Sequence, residues 1–185
     1  MGVGKANDSL FFAIRPDAEA ASRIVSCRDG LRAKHTLKGN PIGVDRLHLT
    51  LHHLGSFACI PKEIVGKASA AALSIHAKPF DIVFDRAKSF PRKVGNRPFV
   101  LTGTPAPELK EFHKNLGDAL VGAGLRVDRH SLTPHVTLLY DEHQVSEEPI
   151  APIRWTAREF VLLYSIYGKG RHELLGRWQN RADER

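Results

Sequence analysis

Apolar and polar positions alternate along this chain in short blocks of two different periods. Leu10-Phe11-Phe12-Ala13-Ile14 is a compact apolar run and predicts a buried strand. Pro16-Asp17 stops that strand and opens a helix over residues 18–31, with Ala20, Ile24, Val25 and Leu31 near helical spacing. Residues 34–41 are polar, carry a Gly-Asn-Pro break and read as a loop. Residues 44–54 alternate and predict a second strand, closed by Gly55. A second helix is expected over about 61–77, where Ile64, Val65, Ala68, Ala72 and Ile75 form an apolar stripe. Strands follow at 80–84 and 99–102, separated by a basic turn at 91–98. A third helix spans about 105–121, with Leu109, Phe112, Leu116 and Leu120 on one face and Gly122 and Gly124 ending it. Residues 135–140 alternate again. Two further strands, about 156–167 and 172–178, flank Gly168-Lys169-Gly170, and residues 180–185 read as a frayed end.

Within two of these strands the same tetrapeptide recurs: His48-Leu49-Thr50-Leu51 and His135-Val136-Thr137-Leu138. Side chains alternate across a strand, so each His shares a face with its Thr while the aliphatic residues fill the other face. The surroundings repeat as well. Phe12 precedes His48 by 36 positions and Phe99 precedes His135 by 36, and both intervals read strand, helix, loop, His-Thr strand. Duplication of one unit, giving two similar lobes related by a pseudo-twofold axis, accounts for the matching order. The repeat is too long and too few in number for a solenoid.

Composition narrows the partners. The chain has 185 residues, 42% hydrophobic and 25% charged, ordinary for a globular protein. It carries 27 Lys+Arg against 20 Asp+Glu, a formal net charge of +7, which favours polyanions such as nucleic acid or nucleotides. A basic solvated surface without a partner gives the same count. The two cysteines, Cys27 and Cys59, lie in neither a C-x-x-C nor a zinc spacing and are expected as free thiols. Residues 1–7 carry no apolar leader segment, Ala6 breaks the myristoylation pattern, and the apolar run at 160–167 is too short to span a bilayer. A cytoplasmic protein with no membrane partner and no protein partner is the expectation.

The repeated motif has a chemical reading. An imidazole titrates near pH ~6.5, so one His can deprotonate water while another protonates a departing oxygen, each typically worth ~10²–10⁴-fold. Thr50 and Thr137 are neutral donors suited to non-bridging phosphate oxygens. A metal site is not expected, and no cofactor is implied: along a strand His48 and His52 stand ~13 Å apart at ~3.3 Å per residue, and no H-E-x-x-H is present. A serine triad around Ser131, Asp128 and Asp141 lacks a G-x-S-x-G elbow, and no G-x-x-x-x-G-K loop marks a kinase or ATPase. His35, His76, His113, His130, His143 and His172 lack the Thr context and are taken as structural. Phe11 and Tyr140 are candidates for stacking a base, with core packing the alternative for Phe11. Arg32, Lys34 and Lys38, the turn of Arg92, Lys93 and Arg97, and Arg126 with Arg129 are candidate contacts to flanking phosphates, or simply solvated loop charge.

At Ser9-Leu10-Phe11-Phe12-Ala13-Ile14, Leu47-His48-Leu49-Thr50-Leu51 with Leu54-Gly55, and Thr133-Pro134-His135-Val136-Thr137-Leu138-Leu139, the chain resembles the 2H phosphoesterase superfamily. Within it, the RNA 2′,3′-cyclic phosphodiesterase (2′-5′ RNA ligase, LigT-like) family is the nearest in pattern. The resemblance implies one α+β domain over residues 1–185 made of two pseudo-symmetric lobes, with antiparallel β-sheets facing a central cleft and helices on the outside. It implies metal-independent opening of an RNA or nucleoside 2′,3′-cyclic phosphate to a 2′-phosphate, reversible as 2′-5′ ligation. His48 would be the proton donor, His135 the proton acceptor, and Thr50 and Thr137 the phosphate ligands. Two positions depart from the pattern. Tyr140 stands where family members often carry Arg, which opens the question of substrate preference. His53 replaces a common Phe and, by strict alternation, is expected on the Leu51 side of the strand, affecting packing alone. A nucleotide-binding module without turnover, or a 2H enzyme acting on 2′-5′ oligonucleotides or another cyclic nucleotide, are the competing readings.

Overall fold

The computed structural model of the protein describes residues 8–92, 95–127 and 131–181. Its elements run β1 (Asp8–Ile14), α1 (Ala18–Lys34), β2 (Leu49–Phe57), α2 (Lys62–Leu73), β3 (Phe80–Ser89), β4 (Arg97–Thr102), α3 (Pro107–Gly122), β5 (His135–Asp141), β6 (Glu148–Ala157), β7 (Glu159–Ile166) and β8 (Arg171–Gln179). The fold is α+β. All strand pairs are antiparallel, in the order β6-β3-β4-β5-β2-β1-β7-β8. Read outward from the centre, the two halves match: β2, β1, β7, β8 on one side and β5, β4, β3, β6 on the other. The predicted pseudo-twofold therefore runs between β2 and β5.

The halves meet at a single residue pair, Leu49 with Val136. Beyond it the loop ahead of β2 takes over the edge of β5: Ile42 N–H donates to the Leu138 carbonyl at 2.8 Å and Pro41 bridges to Leu139. That loop is itself clamped. The Asp141 carboxylate accepts from the Lys38 and Gly39 N–H groups at 2.6 and 2.7 Å, and the buried Arg28 guanidinium donates to the Ile42 carbonyl. The inserted loop holds the sheets apart after one shared pair, so the two half-sheets diverge instead of zipping into a flat surface.

One large core lies on the helix side of the sheet and draws Phe12, Leu49 and Phe160 from one half and Phe84, Phe99 and Val136 from the other. α3 contributes Leu109, Phe112, Leu116 and Leu120, the predicted stripe. The other face carries a small apolar cluster of Phe11, Ala13, Val161 and Leu163.

Several boundaries differ from the sequence reading. Residues 44–46 form a 3-10 turn, closed by Arg46 N–H on the Gly43 carbonyl, and not the start of a strand. The region expected as one strand at 156–167 is two, and its first partner, β6, begins at Glu148. Pro149 and Pro152 disguised it. β6 is an edge strand, where a residue without N–H leaves no ladder bond unmade. No helix among the described residues is long and apolar enough to cross a membrane.

Candidate active site

Leu49 and Val136 point into the core, so the residues on either side of that pair point the other way. His48 and Thr50 flank Leu49, and His135 and Thr137 flank Val136. All four share the open face of the sheet, and all four are half-buried. The two imidazoles lie close enough for a charge on His135 to oppose protonation of His48.

Both rings are held alike. His48 Nδ1 lies 2.6 Å from the Arg46 carbonyl and His135 Nδ1 lies 2.8 Å from the Thr133 carbonyl, in each case the residue two positions earlier. A carbonyl only accepts, so Nδ1 carries the proton and Nε2 is left for chemistry. An aromatic ring backs each imidazole. Phe11 lies 5.0 Å from His48 between centroids, and Phe90 lies 4.9 Å from His135, edge to face. Phe11 is 6% exposed, covered by His48 and by His172, so it braces the imidazole and offers no face to a base. Tyr140 is 44% exposed and pairs with Pro98, on the face opposite the buried Leu139.

The motif strands are not regular, and the irregularity matters. In β2 the pairing to β1 slips so that Thr50 meets Ala13 and His52 meets Phe12, leaving Leu51 as an extra residue. In β5 the pairing to β4 slips at the same place, with Thr137 on Val100 and Leu139 on Phe99, leaving Leu138 extra. The bulge turns His52 into the core, where it stacks on His113 at 4.1 Å and its Nε2 donates to the His113 carbonyl. A second slip in β2, at Leu54, pairs His53 with Phe11. Directly opposed residues share a face, so His53 is exposed on the open side with Phe11 and His48. The expectation that it lies with Leu51 is overturned. Strict period two fails across two bulges that the sequence does not announce.

Three neighbours of His48 were not singled out by sequence. The His172 ring stands 5.1 Å from it. β8 is three strands away from β2, ~14 Å across a flat sheet, so this half-sheet curls until its edge closes over the open face beside His48. Arg15 follows Ile14, which pairs with Leu49, and so sits beside His48 on the neighbouring strand. Arg46 holds the His48 ring through its carbonyl while its guanidinium reaches to 3.4 Å from where a Cβ of Gly170 would stand. Burial is the largest cause that lowers the pKa of His48, with the charges of His135, Arg15 and Arg46 adding to it. The same burial, together with His48, Arg46 and Arg15, pushes His172 down to about 4.

The basic loop residues fare differently. Lys34 and His35 both bond Glu148, Arg92 caps the Asn96 carbonyl, and Arg97 donates to the Glu142 carbonyl at 2.7 Å. Asp128, Lys93, Arg129 and His130 lie outside the described residues. No group of three or more acidic, His or Cys side chains suited to a metal ion occurs among the described residues.

A family model described as the 2′-5′ RNA ligase superfamily matches residues 16–165. The chain is 28% identical over 179 residues to RNA 2′,3′-cyclic phosphodiesterase of Escherichia coli strain K12, covering 91% of this chain and 94% of that protein. The crystal structure of E. coli LigT complexed with 3′-AMP is similar with a TM-score of 0.75 at 29% identity, over 94% of this chain and 98% of that one. TT0787 of Thermus thermophilus shares the fold, with a TM-score of 0.75 at 21% identity over 95% and 99% of the two chains.

Proposed function

The chain belongs to the 2′-5′ RNA ligase superfamily, and from that premise we propose that it hydrolyses RNA or nucleoside 2′,3′-cyclic phosphates to 2′-phosphates through a pair of histidines. The observation that supports the reading is the Leu49–Val136 junction, flanked on the open face by two Nδ1-anchored imidazoles and two threonines. The E. coli relative is an RNA 2′,3′-cyclic phosphodiesterase, and a nucleotide occupies a similar structure.

In this reading Thr50 and Thr137 donate to the non-bridging oxygens of the cyclic phosphate. His135 Nε2 takes a proton from water as its oxygen attacks phosphorus. The P–O3′ bond breaks, and Nε2–H of His48 protonates the leaving 3′ oxygen, so that the product is a 2′-phosphate with a free 3′-hydroxyl. Without substrate, burial keeps His48 neutral. An anionic phosphate against its Nε2 favours the charged form and loads the proton where it is needed. With a 5′-hydroxyl in place of water, the same steps join the cyclic end to it through a 2′-5′ bond, and run backward they open that bond.

The lowered pKa of His48 supports one alternative, in which His48 is the base and His135 the acid. A phosphodiester with a nitrophenolate leaving group separates the two, because such a group departs without a proton. We expect His48→Ala to recover activity on that substrate while His135→Ala does not; the opposite pattern would exchange the roles. Product analysis on adenosine 2′,3′-cyclic phosphate in excess chelator tests the reaction itself. The expected product is the 2′-phosphate, formed undiminished. Tight binding without turnover would instead make the cleft a nucleotide-binding site.

A further inference from the structure

The two halves of the cleft differ in their free charge. Thr102 pairs with His135 on the neighbouring strand, and Arg15 occupies the corresponding place beside His48. Thr133 supplies the carbonyl that holds His135, and Arg46 supplies the one that holds His48. Thr102 is committed, its hydroxyl donating to the Pro134 carbonyl at 2.8 Å. Further out in that half, Lys88 and Arg86 share the open face with Thr137 and His135 but both are paired to Glu147, at 2.7 and 3.7 Å.

Arg15 and Arg46 have no such partner. Each has a buried Nε without a hydrogen bond, and no carboxylate lies within ion-pair distance of either guanidinium among the described residues. The buried Nδ1 of His172 is likewise unpartnered. Two half-buried guanidiniums that meet no anion are costly in the free protein. An arrangement of this kind is suited to an anion that arrives with the substrate.

Position decides which anion. The sheet order is β5, β2, β1, so His135, His48 and Arg15 lie on three successive strands. The reacting phosphorus sits between the first two. Arg15 lies one further strand spacing outward, ~4.8 Å, and Arg46 approaches from the same outer side, against the β7–β8 turn at Gly170. The reacting phosphate is already served by two threonines and two imidazoles. We propose that Arg15 and Arg46 form a second anion subsite, outboard of His48, which holds the phosphate on the 5′ side of the terminal nucleotide. The preferred substrate is then an RNA end, or a nucleotide bearing a 5′-phosphate, over a bare nucleoside cyclic phosphate. This rests on the cyclic phosphodiesterase reading and on His48 lying toward the ribose.

The test compares adenosine 2′,3′-cyclic phosphate with the same compound carrying a 5′-phosphate and with the dinucleotide ApA ending in a 2′,3′-cyclic phosphate. The unaltered protein should favour the two phosphate-bearing substrates by tenfold or more in kcat/KM, through KM. That preference should shrink as salt rises, because it is electrostatic. In the Arg15→Gln/Arg46→Gln double variant the preference should vanish, the loss falling on the KM of the two phosphate-bearing substrates. Arg→Lys at both sites should restore part of it. Equal kcat/KM on all three substrates by the unaltered protein, at low salt, overturns the subsite whether or not the variants fold. A kcat loss of equal size on every substrate overturns it differently, by placing the arginines on the reacting phosphate. Absence of turnover on all three rejects the cyclic phosphodiesterase reading from which the subsite follows.

Discussion

The half of the molecule that holds His48 and the half that holds His135 share one frame and are furnished differently. Each residue of the first motif strand has a counterpart 87 positions on, and the frame follows that offset down to the bulges at Leu51 and Leu138 and the carbonyl anchors at Arg46 and Thr133. What differs is burial and charge. His48 lies under a curled sheet edge, between His172 and two unpaired arginines, whereas Lys88 and Arg86 of the other half are neutralised by Glu147. The repeated frame fixes where two imidazoles stand. Around His48, burial and the charges of Arg15 and Arg46 disfavour the protonated ring, so an anion arriving beside it is what favours a proton there.

The largest way to break that pairing is to remove either ring. His48→Ala and His135→Ala should each lower hydrolysis of a 2′,3′-cyclic phosphate by ~10²–10⁴-fold, read from initial rates, with the fold preserved by circular dichroism. Near-parental activity in either variant rejects paired acid–base catalysis. The threonines come next. Thr50→Val and Thr137→Val should each cost ~10²-fold in kcat, and by about the same factor, because the junction treats them alike. A loss confined to one of them would mean that the phosphate sits asymmetrically.

A smaller effect probes the junction. Asp141 ends β5 and fastens the loop that wedges the half-sheets apart, and its counterpart in the other half is Leu54. Asp141→Ala strands the Lys38 and Gly39 N–H groups and should destabilise the protein by about 1–3 kcal/mol, measured by urea denaturation. KM for a cyclic phosphate should rise as the cleft loosens. Unchanged stability would mean that Ile42 and Pro41 alone hold the wedge.

Much of this was legible before the fold was known. The alternation around His48 and His135, with Leu49 and Val136 opposite, placed four residues on one face because a strand with a buried side has only one register that works. The third helix was plain from its stripe of Leu109, Phe112, Leu116 and Leu120. The losses have common causes. β6 was hidden by two prolines that only an edge strand tolerates. His53 was assigned the wrong face because bulges break period two without a composition signal. His172, Arg15 and Arg46 were missed because their roles depend on the curl of the sheet and on neighbours far along the chain. A motif is local, and the surroundings that tune it are not.

The smallest expected effect concerns the buried histidines clustered around the first half. His52 and His113 stack, and their Nε2 atoms donate to the His113 and Leu51 carbonyls, at 2.9 and 3.0 Å. Burial lowers both pKa values, with His113 down to about 4 because His52 is also beside it. An unfolded imidazole titrates near ~6.5. Between about 4 and 6.5 the unfolded chain therefore binds more protons than the folded one, and stability must rise with pH across that window. It is fully present above pH ~7 and lost as the pH falls toward 4. His113→Gln keeps a side-chain N–H for the Leu51 carbonyl and removes the titration. The drop in urea midpoint between pH 7.5 and pH 5 should be smaller in that variant than in the parent. Equal pH dependence in the parent and in His113→Gln would show that the acid sensitivity of the fold arises elsewhere, with His48 and His172, which are also buried and neutral, as the next positions to substitute.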